Sequence, residues 1–117
     1  MAYKFVDWTE IELYGGTLRR IRRELGISAF GVNLHELPPR ADDYPEHDEL
    51  ETRNEELYIC LDGGGTITVD GDDVELRPGR CVFVTPESRR KIVAGQNGLS
   101  CLAIGTPVGS YRGWDNL

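Results

Sequence analysis

The sequence predicts an all-β domain, an antiparallel sandwich or jelly-roll barrel with a short helix near its N-terminus. After residue 27, apolar and polar residues alternate in several short segments, which is the pattern of half-buried strands. Glycine and Asp-Gly turns separate these segments at close intervals, as they do in barrels and sandwiches. The chain has 117 residues, so we expect one domain with one core.

Three regions are expected along the chain: an arm with the short helix (residues 1–26), the barrel (residues 27–105) and a tail (residues 106–117). The loose alternation at the start of the arm favours an edge strand or a segment laid on another surface. Thr17 is expected to cap the helix over residues 17–24, and Gly26 to end it. The four arginines of this helical segment are expected to form a solvated face or, alternatively, a docking surface for the acidic half of a second subunit.

Turn residues divide the barrel region into strands. Pro38-Pro39 ends a strand over residues 28–37, and Gly63-Gly64-Gly65 is expected to reverse the chain after a strand over residues 55–61. Asp70-Gly71 is a strong signal for a two-residue hairpin. Further strands are expected over residues 81–84, 91–93 and 99–104. In the tail, Tyr111 and Trp114 are expected to be packing anchors.

Composition excludes some classes of partner. A formal net charge of −7 argues against nucleic acid, because no basic stripe could displace phosphate counterions. No apolar run has the length that spans a bilayer, so no membrane partner is expected. The cysteines Cys60, Cys81 and Cys101 are odd in number and lack metal-type spacing. We interpret them as small buried hydrophobic residues of a cytoplasmic protein, with a reactive thiol as the alternative.

The central motifs resemble those of a small single-domain cupin of the cupin-2-like type, a double-stranded β-helix barrel. His47 matches the first histidine of the first family motif, Glu49 stands where a second histidine is usual, and Glu56 precedes Gly63 at the family spacing. Glu55 is a second candidate for the motif glutamate. In the second motif, Arg90 replaces the final histidine. The resemblance covers residues 28–105 and implies the barrel fold.

Cupins that bind a metal typically offer three imidazoles and one carboxylate, a set suited to iron, manganese, nickel or zinc. This chain offers only His47, Glu49 and Glu56, which would be the ligands if a divalent metal is bound. Arg90 opposes an ion, because a unit charge about 4 Å away costs on the order of 4 kcal/mol per ion charge at an effective dielectric near 20. We therefore expect no metal cofactor, with Arg90 paired to Glu49 or Glu56 instead.

The expected small-molecule pocket comprises His47, Glu49, Glu56, Tyr58 and Arg90. The resemblance implies that Glu56 points into the barrel, and strand alternation then places Tyr58 and Cys60 on the same face. His35 is expected to be a satisfied core or surface residue, or else to line this pocket.

Three functions remain open for this site. They are a metal-independent small-molecule-binding protein, a metal-dependent oxygenase or isomerase, and a metal-free epimerase or lyase in which Arg90 holds a substrate carboxylate. Small cupins usually pair through a sheet, so the resemblance also implies a homodimer.

Overall fold

The computed structural model describes residues 2–114, so residue 1 of the predicted arm and residues 115–117 of the predicted tail lie outside it. Within this part the regular secondary structure is almost entirely β. The strands are β1 (Leu18–Arg19), β2 (Gly31–Leu37), β3 (Asn54–Val69), β4 (Asp72–Leu76), β5 (Cys81–Val84) and β6 (Arg90–Pro107). A 3-10 turn (Trp8–Glu10) and the helix α1 (Ile21–Leu25) precede β2. No helix among residues 2–114 is long and apolar enough to cross a membrane.

All strand pairs are antiparallel, and the sheet order is β1-β2-β6-β3-β4 with β5 pairing with the first half of β3. Strands β3 and β6 pair along nearly their whole length, from Asn54–Pro107 to Val69–Arg90. Side chains from both halves of β3, such as Tyr58 and Ile67, lie in one core cluster. The sheet therefore wraps around one core, which confirms the predicted all-β fold class.

The Asp70-Gly71 hairpin is confirmed, because Val69 pairs with Asp72 and the two turn residues have φ of 50° and 88°. The predicted reversal at Gly63-Gly64-Gly65 is wrong, since β3 continues through these residues with irregular register against β6. A Cβ atom on Gly63 would overlap the carbonyl oxygen of Gly98, so glycine here allows two backbones to approach closely.

The predicted helix over residues 17–24 is also shifted. Leu18 and Arg19 pair with β2 as strand β1, so the helix starts only at Ile21, and Gly26 ends it with φ of 73°. Arg19 is not solvated as expected: it contacts Glu36 at 3.1 Å. Arg20 lies over the ring of Tyr14, 4.1 Å from its centroid.

Two further expectations about burial fail, and so does one of the two expectations for the arm. Cys60 and Cys101 are buried as predicted, whereas Cys81 is exposed because it lies on the outer face of β5. Tyr111 and Trp114 are 67% and 75% exposed, so they do not anchor the described part of the tail. Residues 2–14 form no strand, so the edge-strand alternative for the arm is wrong, while the buried Ile11 agrees with the alternative of a segment laid on another surface.

Candidate functional site

The candidate site lies at one end of the barrel, where a loop meets strands β3 and β6. The backbone of His47 makes two hydrogen bonds with that of Arg90, of 3.0 and 2.9 Å, and this bridge fixes the loop on the start of β6. Two residues later, the Glu49 amide donates to the carbonyl oxygen of Pro86 at 2.8 Å. The period-two alternation of β3 directs Glu56 and Tyr58 inward, so Glu56 faces this loop.

Three of the predicted site residues converge. The His47 Nε2 atom lies 3.3 Å from Glu49 Oε1 and 3.9 Å from Glu56 Oε1. One ligand atom from each of His47, Glu49 and Glu56 lies within 4.8 Å of the other two. The second candidate for the motif glutamate, Glu55, is on the opposite face of β3 and pairs with Thr106. Glu56 is therefore the glutamate of the site.

Arg90 enters this group from inside the barrel and has no exposed surface. Its Nη1 atom lies 3.5 Å from Glu56 Oε1, and its Nη2 atom donates to the carbonyl oxygen of Thr85 at 2.9 Å. The expected ion pair is thus present with Glu56 rather than with Glu49, and it is not bidentate. Because Arg90 has no exposed surface, the structure counts against the role that the epimerase or lyase hypothesis gave it, which was to hold a substrate carboxylate.

Two tyrosine hydroxyls form a chain of hydrogen bonds that ends on the Glu56 carboxylate. The Tyr58 hydroxyl donates to Glu56 Oε1 at 2.7 Å, and the Tyr44 hydroxyl lies 3.1 Å from that of Tyr58. Since Tyr58 gives its proton to the carboxylate, Tyr44 is the donor in the second bond. Burial raises the pKa values of both phenols, so they remain protonated and act as donors.

The pKa of Glu56 is raised, chiefly because burial disfavours the charged carboxylate. The neighbouring Glu49 adds to this, whereas the hydrogen bond from Tyr58 and the charges of Arg90 and His47 oppose it. Burial also lowers the pKa of His35 to about 4, with a smaller contribution from His47, so His35 is neutral at neutral pH.

A cavity of about 450 Å³ opens in front of Glu56 and His47. Its other lining residues are Tyr14, Gly15, Thr17, Leu18, His35, Leu37, Asp43, Tyr44 and Pro45. Of the two interpretations of His35, the structure favours the one in which it lines the pocket: its ring meets that of Tyr44 edge-on at 5.3 Å. The predicted pocket members Tyr58 and Arg90 instead lie behind Glu56, with no exposed surface, and Glu49 is not among the residues that line the cavity.

Sequence reasoning missed Tyr44, which lies in an irregular loop where no periodicity indicates its direction. It missed the cavity contribution of β1 for a related reason, because residues 17–19 were assigned to the helix. The Arg19–Glu36 ion pair and the pairing of Leu18 with His35 bring this segment to the cavity wall.

The donor set partly fits a divalent metal ion of the kind found in related barrels. The spacing of His47, Glu49 and Glu56 would let their donor atoms reach one ion. The charge does not fit, because the enclosed Arg90 adds a permanent positive charge 3.5 Å from the Glu56 oxygen that would bind the ion. At an effective dielectric near 20, that repulsion is on the order of several kcal/mol for a divalent ion.

Comparison with known proteins shows the family. A family model of the cupin domain matches residues 33–104. The dimethylsulfoniopropionate lyase DddW of Ruegeria pomeroyi is 33% identical over 75 residues, which are 64% of this chain and 42% of that protein. The chain thus spans less than half the length of this curated relative.

Solved structures agree on the fold. A cupin protein of Bacteroides fragilis is 26% identical with a TM-score of 0.83, over 100% of this chain and 97% of that one. A sugar phosphate isomerase of the cupin superfamily from Silicibacter pomeroyi is 24% identical with a TM-score of 0.67, over 78% and 59% of the two chains. The chain belongs to the cupin family.

Proposed function

We propose that this cupin binds a small molecule in the cavity in front of Glu56 and His47, and that it does so without a catalytic metal. The observation that carries the proposal is the Arg90–Glu56 pair, with 3.5 Å between Nη1 and Oε1. A guanidinium is a fixed cation that cannot be exchanged, and it neutralises the buried carboxylate where related barrels use an ion. The cavity of about 450 Å³ has the size and mixed lining of a small-molecule site.

Elemental analysis tests the metal part of this proposal. Protein purified without chelator is expected to contain far less than one equivalent of iron, manganese, nickel or zinc. The matched variant is His47→Ala, which removes the only imidazole among the three candidate ligands. A near-stoichiometric metal that is lost in His47→Ala would overturn the proposal.

A thermal-shift screen of small metabolites tests the binding part. A ligand that binds the native state raises Tm by mass action. A bulky substitution at the cavity wall, Leu18→Trp, should abolish the shift, whereas the exposed Leu50→Trp should retain it. Hits that remain in Leu18→Trp would place binding outside this cavity.

The second candidate is a metal-dependent enzyme, which is favoured by the clustering of His47, Glu49 and Glu56. It requires that divalent iron, manganese or nickel raise Tm. No shift at millimolar metal, in protein that still unfolds cooperatively, counts against it.

The third candidate is lyase chemistry without a metal, with Glu56 as the base. One relative is named as a dimethylsulfoniopropionate lyase, and the pKa of Glu56 is raised towards the range of a general base. Incubation with dimethylsulfoniopropionate, followed by proton NMR, would show loss of this compound if the activity is shared. Unchanged spectra at high protein concentration would exclude that substrate.

A further inference from the structure

Two cysteines lie directly opposite each other on neighbouring strands. Cys60 on β3 and Cys101 on β6 are partners in the strand register, and both are fully buried in the core. Burial raises the pKa of the Cys101 thiol to about 12, and the neighbouring Cys60 adds to the rise. The two thiols therefore share one interior and lie close enough to influence each other's ionisation.

The backbone hydrogen bonds show which kind of strand pair the two cysteines form. The Cys60 N–H donates to the carbonyl oxygen of Arg80 at 3.1 Å, and the Cys60 carbonyl oxygen accepts from the N–H of Gly79 at 2.8 Å. Both groups are thus directed towards the segment that leads into β5, so Cys60 and Cys101 are a non-hydrogen-bonded pair. In antiparallel sheets the Cα atoms of such a pair are about 4.5 Å apart. Disulfides form over Cα separations of about 4.4 to 6.8 Å, so this backbone already has a spacing that suits a disulfide.

We propose that Cys60 and Cys101 are a redox site, a dithiol that closes to a cross-strand disulfide between β3 and β6. The oxidant is a small organic disulfide such as oxidised glutathione. One cysteine thiolate attacks a sulfur of that disulfide, breaks its S–S bond, forms a mixed disulfide and releases one thiolate. The second cysteine thiolate attacks the protein sulfur of the mixed disulfide, forms the Cys60–Cys101 bond and releases the second thiolate. The protein thiols lose two electrons and two protons, which convert the small disulfide into two thiols.

An irregular stretch of the β3–β6 pairing lies next to the cysteines. The register shifts between Cys60 and Asp62, and again between Gly63 and Gly65, so regular pairing is interrupted directly after the cysteine pair. A ladder that is interrupted in this way opens locally at a lower free energy than a continuous one. The disulfide is therefore expected to form slowly, in molecules whose strands have opened at this point, because both thiols are enclosed in the closed form.

The cysteine pair also borders the cavity wall. Cys101 is the register partner of His35 on β2, and His35 lines the cavity. A disulfide would thus fix β3 to β6 directly beside this wall. The redox site uses none of the candidate metal ligands, so it does not depend on the ligand or metal content of the cavity.

Peptide mapping tests the site. Trypsin, which does not cleave between Arg77 and Pro78, separates the three cysteines into peptides 54–80, 81–89 and 92–112. The native full chain is equilibrated with oxidised and reduced glutathione in several ratios, quenched with acid, unfolded, alkylated and digested. The expected product is peptide 54–80 linked to peptide 92–112, and excess reduced glutathione should return the unlinked peptides. A second series in a sub-denaturing concentration of urea speeds local opening, so that slow exchange is not mistaken for absence of the site.

Two variants serve as matched controls. Cys101→Ala removes one partner of the pair and should lose the linked peptide, whereas Cys81→Ala removes the exposed cysteine and should keep it. In Cys81→Ala, oxidation should raise Tm by about 10 °C, because the disulfide closes a loop of about 40 residues and restricts the unfolded chain. The maps of wild type and Cys81→Ala remain decisive even where Cys101→Ala does not fold.

Three results would overturn the proposal. They are absence of the link between peptides 54–80 and 92–112 in both series, a link that joins Cys81 in preference, and a lower Tm after oxidation of Cys81→Ala. The first two would show that the buried thiols do not react with each other, and the third that the native backbone does not accommodate the disulfide.

Discussion

Arg90 and Glu56 form an ion pair inside the barrel, with 3.5 Å between Nη1 and Oε1 and no exposed surface on the arginine. The side chains come from the two longest strands, β6 and β3, and the pair lies directly behind the cavity. Within residues 2–114, the Nε and Nη1 atoms of Arg90 have no hydrogen-bond partner, so Glu56 provides most of the compensation for the buried charge.

Glu56→Leu is expected to destabilise the protein by about 3 kcal/mol, because it leaves both the buried guanidinium of Arg90 and the Tyr58 hydroxyl without the carboxyl group that they contact. Combining it with Arg90→Met removes the stranded charge and should recover most of that loss. The measurement is the free energy of unfolding in urea for the two single variants and the double variant. Strict additivity of the single effects would contradict the pairing.

Glu49→His combined with Arg90→His is expected to create a transition-metal site. Together with His47 and Glu56, these changes restore the three imidazoles and one carboxylate that the family motifs imply, and they remove the opposing cation. Elemental analysis should approach one equivalent of metal. The control is Glu49→His with Arg90→Met, which removes the charge without adding the third imidazole and should bind metal more weakly. A folded double-histidine variant without metal would contradict the charge argument.

His35 is expected to make the protein less stable in acid. Its folded pKa is about 4, below the usual value of 6.5, so the unfolded chain takes up this proton more readily. The contribution of His35 to the free energy of unfolding is fully present above pH 6.5. It is lost as the pH falls towards 4, by about 3 kcal/mol in total. The pH dependence that Glu56 contributes has the opposite sign, because its pKa is raised and protonation of its carboxyl therefore favours the folded state.

The two effects are separated by comparing wild type with His35→Gln in urea unfolding from pH 7 to pH 4. The difference in unfolding free energy between them should change with pH in favour of the variant. A constant difference over this range would show that His35 does not titrate differently in the two states.

A homodimer is expected through the outer face of the sheet. Phe83 pairs with Leu57 on that face, and Leu57 pairs with Ile104, so the three form one apolar row in which Phe83 is 59% exposed. Light scattering should give twice the 13.1 kDa of one chain. Phe83→Asp should give the single-chain mass, whereas Leu50→Asp, at an exposed loop position, should not. A wild-type mass of one chain would refute the dimer.

The alternation of apolar and polar residues was sufficient to predict an antiparallel all-β domain and to place Glu56 and Tyr58 on one face, whereas the cupin barrel and the inward direction of that face came from the resemblance of the motifs. The motif positions also predicted that His47, Glu49 and Arg90 lie at one end of the barrel, because strand pairing fixes where each motif residue lies relative to the others. Local signals failed where distant pairing opposed them. At Gly63-Gly64-Gly65, pairing with β6 prevailed over turn propensity, and at Leu18 pairing with β2 prevailed over helix propensity.

The cavity wall was the least predictable part of the site. Tyr44 belongs to a loop, and its direction depends on its bond to Tyr58, which no pattern in the sequence encodes. The complete burial of Arg90 was equally unpredictable from the sequence. Alternation predicts the face of the strand on which a residue lies but not how deeply its side chain is buried.

The continuous pairing of β3 with β6 has a consequence for folding order. Val69 and Arg90 are close along the chain and lie near the Asp70-Gly71 hairpin, whereas Asn54 and Pro107 are much further apart in sequence. Loop-closure entropy therefore favours zipping from the hairpin end, so the end that carries Glu56 joins last. Substitutions at Glu56 should accelerate unfolding and leave the refolding rate nearly unchanged in stopped-flow kinetics, so the end of the barrel that carries the candidate site would also govern how long the folded molecule persists.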